Sequence, residues 1–209
     1  VCGKWYDNDV VKWDSNAFVR ADWTMFRGFV DNSLHLFGDL QYRYVSYRAW
    51  GTNDNAVWGD DGSVTMQPID VDKQYDFFNP RLGISYIHHN HNVFASVAVA
   101  HREPTRSDFT DRHMFAADDS YPEPERLVDF ELGYTYTSPR LSLGVNLYYM
   151  LYHNQLVATG MVNDGDDALN VNVDKSYRRG VELMAKWKTT KWLTLSGNVT
   201  LSQNKIEDY

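Results

Sequence analysis

The 209-residue chain combines a polar average with heavy use of aromatic residues, because 14 Tyr and 7 Trp raise the aromatic share to 15% while the mean hydropathy is -0.51. A net charge of -8 without clustered Lys and Arg excludes a general affinity for nucleic acid. The single Cys2 excludes an internal disulfide, and no stretch approaches the roughly 20 apolar residues that a membrane-spanning helix needs.

Alternation of apolar and polar residues predicts eight β-strands and no helix. In chain order the strands cover residues 16–28, 33–48, 74–88, 92–103, 126–137, 140–156, 176–188 and 192–205. The sixth strand is the clearest. Its apolar row consists of Leu141, Leu143, Val145, Leu147, Tyr149 and Leu151, each followed by a polar, small or otherwise unlike neighbour. Such alternation predicts strands with two unlike faces.

The connections between these strands alternate in length. Short turns fall near residues 31–32, 89–90, 138–139 and 189–190, and longer polar loops fall at about 49–73, 104–125 and 157–175. In an up-and-down sheet every second connection lies at the same edge, so the short turns share one edge and the long loops the other. We therefore predict an all-β, antiparallel, up-and-down transmembrane β-barrel wall, with short periplasmic turns and long extracellular loops.

The two faces of this wall are predicted from the cost of burying charge. A Lys or Arg at the lipid midplane destabilises a barrel by roughly 2 to 4 kcal/mol. Arg43, Glu131, Glu182 and Lys186 are therefore expected to face the lumen, and the Leu, Val and Tyr rows are expected to face outer-membrane lipid.

Several segments resemble the barrels of TonB-dependent outer-membrane receptors, in the order that the family has them. They are 79–83 (NPRLG), 98–109 (AVAHREPTRSDF), 122–126 (PEPER), 147–150 (LYYM) with 154–157 (NQLV), and 176–182 (SYRRGVE). The resemblance extends from about residue 18 to residue 206, and it is closer to receptors for iron complexes and corrinoids than to the larger glycan importers.

The resemblance implies that residues 1–209 are an incomplete barrel domain, about eight strands of a 22-stranded wall, without the plug that would fill its lumen. It also implies a location in the bacterial outer membrane, a nutrient complex as ligand, and coupling to the TonB complex through a plug outside this chain. A surface lipoprotein that caps the barrel is a further candidate partner.

Charged and aromatic residues near the long loops are the candidate ligand or lumen residues. The charged group lies at the outer end of the fourth strand, and the aromatic residues could stack on a ligand. They are Arg102, Glu103, Arg106, Asp108, Trp58, Phe109 and Tyr121. An ion-pair network within the wall and ordinary loop packing explain the same residues without a ligand.

Acidic loop residues are weaker candidates for binding calcium, which prefers carboxylate oxygens. They are Asp60, Asp61, Asp164 and Asp166, and they do not match an EF-hand loop. Solvated extracellular loops are the favoured explanation of these acidic residues. No other cofactor or metal is expected.

TonB-coupled uptake of a scarce nutrient complex is the leading functional hypothesis, with a ferric siderophore first and a corrinoid or haem next. The wall contains no nucleophile with a base and no paired carboxylates in a pocket pattern, so no enzyme activity is expected. Two alternatives stay open: a passive outer-membrane porin, and a secreted β-sandwich that binds glycans and covers its apolar rows with a second sheet.

Overall fold

A computed structural model describes residues 7–27, 32–110, 121–162 and 168–207, with the backbone alone at 26, 27, 53–58 and 168. Eight strands follow one another in a single sheet, in the order β1 to β8, each antiparallel to the next. Their bounds are β1 Asp7–Arg27, β2 Asn32–Trp58, β3 Val64–His88, β4 His91–Arg102, β5 Glu125–Thr137, β6 Leu141–Val162, β7 Ala168–Lys188 and β8 Thr194–Ile206. The predicted all-β, up-and-down architecture is confirmed.

The strand ends differ from the prediction at one edge of the sheet. The expected long loop at 49–73 is wrong, because β2 continues to Trp58 and β3 begins at Val64. The expected loop at 157–175 is wrong for the same reason, since β6 continues to Val162 and β7 begins at Ala168. β1 begins at Asp7 rather than at residue 16. Backbone pairing thus continues through polar segments that lack an apolar row.

The connection between β4 and β5 remains long, spanning 103–124, but it contains a short helix, α1 at Arg106–Thr110. The expectation that no helix forms is therefore wrong at this point. We call the edge at which β2, β4 and β6 end and β3, β5 and β7 begin the long-hairpin end. The opposite edge, at which β1, β3, β5 and β7 end, is the short-turn end.

The strand register separates two faces. Arg43 lies opposite Phe77, and Glu131 lies opposite Tyr148. Following these pairs across the sheet places Arg43, Glu131, Glu182 and Lys186 on one face, as predicted, and we call it the inner face. The row from Leu141 to Leu151 lies on the other, the outer face.

The apolar row on β6 is exposed rather than packed in a core. Leu143 is 41% exposed, Leu147 43% and Leu151 39%. The described strands form one sheet, so no second sheet among them covers this row. This arrangement contradicts the β-sandwich alternative. Within the described part of the chain, no helix is long and apolar enough to cross a membrane.

The buried side chains gather instead on the inner face of β2 and β3, at the long-hairpin end. Tyr47, Ala49, Ile69 and Val71 are nearly inaccessible and form one cluster with Phe109 of α1. The described parts of the β4–β5 connection, residues 103–110 and 121–124, therefore fold over the inner face and cover this part of the wall. They bring most of the candidate residues together.

Candidate functional site

Helix α1 has a side-chain cap that explains why so short a helix forms. The backbone N–H of Thr105 donates to Asp108 Oδ2 at 2.7 Å, and the Thr105 hydroxyl donates to the same oxygen at 2.7 Å. A Thr followed three residues later by an acidic residue is a capping-box pattern, which satisfies donors at the start of a helix. One predicted ligand residue, Asp108, thus holds the backbone of the connection.

Phe109 anchors the connection to the wall. Its side chain is 3% exposed, and its ring stacks on Tyr47 with centroids 5.1 Å apart. Ala49, Ile69 and Val71 complete the apolar seat. Because the Phe109 ring is enclosed by protein, in this conformation it packs the connection against the wall.

Tyr121 fastens the far side of the same connection. Its hydroxyl donates to the carbonyl oxygen of Asp70 at 2.7 Å, and its ring meets Phe109 edge-on at 5.9 Å. The Lys73 ammonium lies 5.2 Å from the centre of the Tyr121 ring, within the range of a cation–π contact. The aromatic side chains of the connection therefore interlock with each other and with β3.

A network of four charges crosses the inner face beside this cluster. Glu103 binds Lys12 at 2.7 Å and Arg43 at 2.8 Å, and Arg43 also binds Asp14 at 2.6 Å. Burial favours a raised pKa for Glu103, but hydrogen bonds from Lys12 and Arg43 outweigh it and leave the pKa below its usual value. Glu103 is therefore an anion that ties the start of the β4–β5 connection to β1 and β2.

Arg102 and Glu125 form a second ion pair, at 2.8 Å, between directly opposite residues of β4 and β5. The Glu125 carboxylate is largely buried and also accepts a hydrogen bond from the Leu156 backbone at 2.6 Å. The Arg102 side chain stays 57% exposed. Glu125 is thus committed to the wall, and Arg102 keeps donors that a ligand could reach.

The connection also reaches strands on both sides of the sheet. Arg106 donates a hydrogen bond to the Asn8 side chain of β1. On the opposite side, Asn170 of β7 donates to Asp108 Oδ1 at 2.8 Å. Because β1 and β7 lie at distant positions in the strand order, these bonds show that the connection bridges the concave inner side at the long-hairpin end.

The remaining candidates do not join this cluster. Asp60 and Asp61 lie in the β2–β3 turn, where the Ser63 backbone donates to Asp61 at 2.9 Å and hydrogen bonds from Ser63 lower the pKa of Asp61. The Trp58 side chain, Asp164 and Asp166 lie outside the described residues. Among the residues that are described, no group of three or more His, Cys, Asp or Glu side chains could hold a metal ion. The calcium site stays a prediction.

Some residues of the site were missed from the sequence. Lys12 and Asp14 precede the predicted start of the first strand, and Asn170 lies in a predicted loop. A usable signal existed for the first two, because they alternate with the apolar residues Val11 and Trp13. No local signal marks Asn170, since its partner Asp108 is 62 residues away in the chain.

Comparison with known proteins places this geometry in a family. The family described as "TonB dependent receptor-like, β-barrel" matches residues 3–209. A search of curated proteins found no match. Among solved structures, the FrpB iron transporter from Neisseria meningitidis is similar at TM-score 0.62 and 19% identity, over 96% of this chain and 27% of that one.

Two further structures show the same fold. Copper transporter OprC matches at TM-score 0.72 and 16% identity, over 95% of this chain and 30% of its own. The ferric-catecholate import receptor Fiu from E. coli K12 matches at TM-score 0.62 and 18% identity, over 95% and 29%. The chain thus spans less than a third of each of these proteins. It belongs to the TonB dependent receptor-like β-barrel family, whose members are outer-membrane receptors and transporters rather than enzymes.

Proposed function

We propose that this chain forms part of the barrel wall of an outer-membrane receptor. The receptor imports a scarce nutrient complex with energy from the TonB complex. The proposal depends on the observation that the two faces of the sheet differ in chemistry. Exposed apolar rows cover the outer face, and the inner face carries the Glu103–Arg43 network beneath an inward-folded connection. Coupling to TonB would run through a plug contributed by sequence outside these residues.

The dimensions of the apolar row support placement in a bilayer. From Leu141 to Leu151 the strand would rise about 33 Å along its axis, which a tilt of about 45° reduces to roughly 23 Å across the membrane. The apolar band of outer-membrane barrels is about 25 Å tall. In this placement the long-hairpin end faces outward and the short-turn end faces the periplasm.

A ferric siderophore is the first substrate candidate, and a corrinoid or haem comes next. Three structural neighbours carry names that concern iron: the FrpB iron transporter, the ferric-catecholate receptor Fiu, and the ferric yersiniabactin receptor FyuA from Yersinia pestis. Because OprC is a copper transporter, a copper complex is a further substrate candidate. Arg102, Arg106 and Tyr121, together with Trp58, are the proposed contacts. The cations would pair with the charge of an anionic chelate, and the aromatic rings would stack on its planar or apolar groups.

The proposal is tested by deleting the gene of the full-length receptor and measuring uptake of radiolabelled ferric siderophores, haem and corrinoids. We expect uptake of one class to fall to background in the deletion strain and equally in a strain that lacks TonB. Unchanged uptake of every class would contradict the proposal. Uptake that requires the receptor but not TonB would favour the passive porin.

Two accessory features belong to the same proposal. Calcium would bind to acidic residues of the extracellular loops, with Asp60, Asp61, Asp164 and Asp166 as the candidate ligands, and would order the outer opening. Substrate affinity that is unaffected by a calcium chelator would contradict that role. A surface lipoprotein would cap the same opening, and its absence from the receptor purified from native membranes would count against it.

A further inference from the structure

A group of basic residues lies on the outer face, where the wall meets lipid and no substrate passes. Its members are Arg126, Lys175, Arg179 and Lys205, and all four are exposed. We call them the outer basic patch. From its position and surroundings we propose that this patch binds the phosphate of an anionic lipid in the outer leaflet.

The strand register brings the first two members side by side. Arg126 of β5 lies directly opposite His153 of β6, and His153 lies directly opposite Lys175 of β7. Neighbouring strands are about 4.8 Å apart, so Arg126 and Lys175 are separated by roughly 10 Å and their long side chains can converge on one group. Between them is a cavity of about 350 Å³ that both residues line.

The next row toward the short-turn end supplies an apolar floor. Val128, Leu151 and Tyr177 line the same cavity, and Lys205 lies opposite Tyr177. Beyond them the outer row of β6 continues through Leu147 toward the short-turn end. The cavity thus places cations on one side and an apolar surface on the other. This order fits a phosphate joined to acyl chains.

The positive charges of the patch outnumber the carboxylates beside them. Among the described residues no salt bridge involves Arg126, Lys175 or Lys205. Arg179 donates to Gln203 at 2.8 Å, and its guanidinium lies 5.5 Å from the centre of the Tyr177 ring. Glu207 is the acidic residue that lines the cavity, against two adjacent cations.

The level of Arg126 and Lys175 agrees with a lipid headgroup. Lys205 and Arg179 lie one and two rows nearer the short-turn end, opposite Tyr177 and Tyr149, and their long side chains can extend toward the same level. Arg126, His153 and Lys175 are two residues beyond the row that contains Leu151, where the apolar band ends. At that level side chains meet lipid phosphates, and Lys and Arg side chains near an anionic membrane surface are attracted to it. The inference rests on the membrane placement in the proposed function, but it concerns the opposite face from the import site.

The test uses the full-length receptor in detergent and compares Arg126→Gln/Lys175→Gln with the matched control Arg48→Gln/Arg178→Gln. The control also removes two positive charges, one from the outer face of β2 and one from the inner face of β7. Native mass spectrometry would measure binding of phosphatidic acid, diacylglycerol and inorganic phosphate. We expect phosphatidic acid to bind the wild type and the control variant. Its affinity for the patch variant should be lower by at least about tenfold.

Other outcomes would overturn the proposal. Equal phosphatidic acid binding by wild type and patch variant would remove the patch as the site. Diacylglycerol binding as tight as that of phosphatidic acid would show that the phosphate is not recognised, and inorganic phosphate binding as tightly would show a free-anion site. A receptor dimer that the patch variant dissociates would identify a second copy as the occupant.

The same variants separate this proposal from the import function. Because the patch lies on the outer face, substrate uptake by the patch variant should match that of the control. A receptor that binds phosphatidic acid through the patch but imports none of the tested nutrients would contradict the proposed function and leave the lipid site standing.

Discussion

At the scale of single residues, Phe109 determines where the β4–β5 connection lies. The connection has polar links as well, from Arg106 to Asn8 and from Asn170 to Asp108. Polar links at a wet surface exchange with water at little net cost, since a typical hydrogen bond contributes about 0.5 to 1.5 kcal/mol. Water cannot replace the apolar contacts of the buried Phe109 ring. These contacts with β2 and β3 are therefore the stronger attachment of the connection.

We therefore expect Phe109→Ala to release the connection without unfolding the wall. Truncating a buried Phe costs about 3 to 5 kcal/mol, which corresponds to local opening that is roughly a hundredfold more frequent or greater. Hydrogen exchange of the Thr105 amide, which α1 protects, would report this opening. Phe18→Ala is the control, because Phe18 is 76% exposed. Unchanged exchange in Phe109→Ala would show that the polar links alone hold the connection.

Only part of the candidate site could be predicted from the sequence, because its residues come from distant positions in the chain. The segment that contains Arg102, Glu103 and Arg106 was recognisable because charge is concentrated there. Its partners were not, since Lys12 lies 91 residues from Glu103 and Arg43 lies 60 residues from it. Only the register of the folded sheet brings these residues together.

At the scale of strand pairs, three aromatic residues of the inner face each lie over a glycine directly opposite. The pairs are Phe37 with Gly83, Phe94 with Gly133, and Tyr148 with Gly180. In each pair a Cβ added to the glycine would collide with the aromatic ring. The glycines therefore provide room for rings to lie flat along the wall, which pins the register of neighbouring strands.

Substituting one of these glycines should loosen its strand pair. We expect Gly133→Val to lower the free energy of unfolding by about 1 to 3 kcal/mol, because the Phe94 ring must leave its position. The matched control is Gly197→Val in β8, where an added Cβ meets nothing within 4 Å. Chemical unfolding of both variants in vesicles would measure the difference. Equal stability would show that Phe94 moves aside without cost.

The strands themselves were predicted best where one face is apolar and worst where both faces are polar. β4 and β5 agree closely with expectation, since their alternation runs from end to end. The outer parts of β2 and β3 were mistaken for a loop because residues 51–63 are rich in Gly, Asp and Asn. There the hairpin is maintained by backbone pairing of the two strands, which the side-chain pattern does not reveal.

At the scale of the whole molecule, the sheet has one face that its own chain covers and one that it does not. On the inner face, the connection buries Tyr47 and Val71 at the long-hairpin end. On the outer face, large apolar side chains from every strand remain exposed. A soluble protein rarely leaves so continuous an apolar surface without a partner. In the proposed membrane placement lipid is that partner, in agreement with the family and with the height of the apolar band.

A pair of neighbouring residues on β6 tests this two-faced arrangement directly. Leu147 lies near the middle of the apolar row, opposite Leu132 and Val181 on the outer face. Its neighbour Asn146 points to the inner face, opposite Glu182. The same substitution at adjacent positions would thus place a guanidinium either in lipid or beside a carboxylate.

We expect Leu147→Arg to destabilise the full-length receptor in phospholipid vesicles by about 2 to 4 kcal/mol, the cost of a charge near the bilayer midplane. Asn146→Arg should cost much less, because Glu182 can pair with the new charge in a hydrated lumen. Denaturant unfolding followed by tryptophan fluorescence would measure both values. Equal costs would contradict the assignment of faces, and a larger cost for Asn146→Arg would reverse it, placing lipid against the face that carries Arg43 and Glu131.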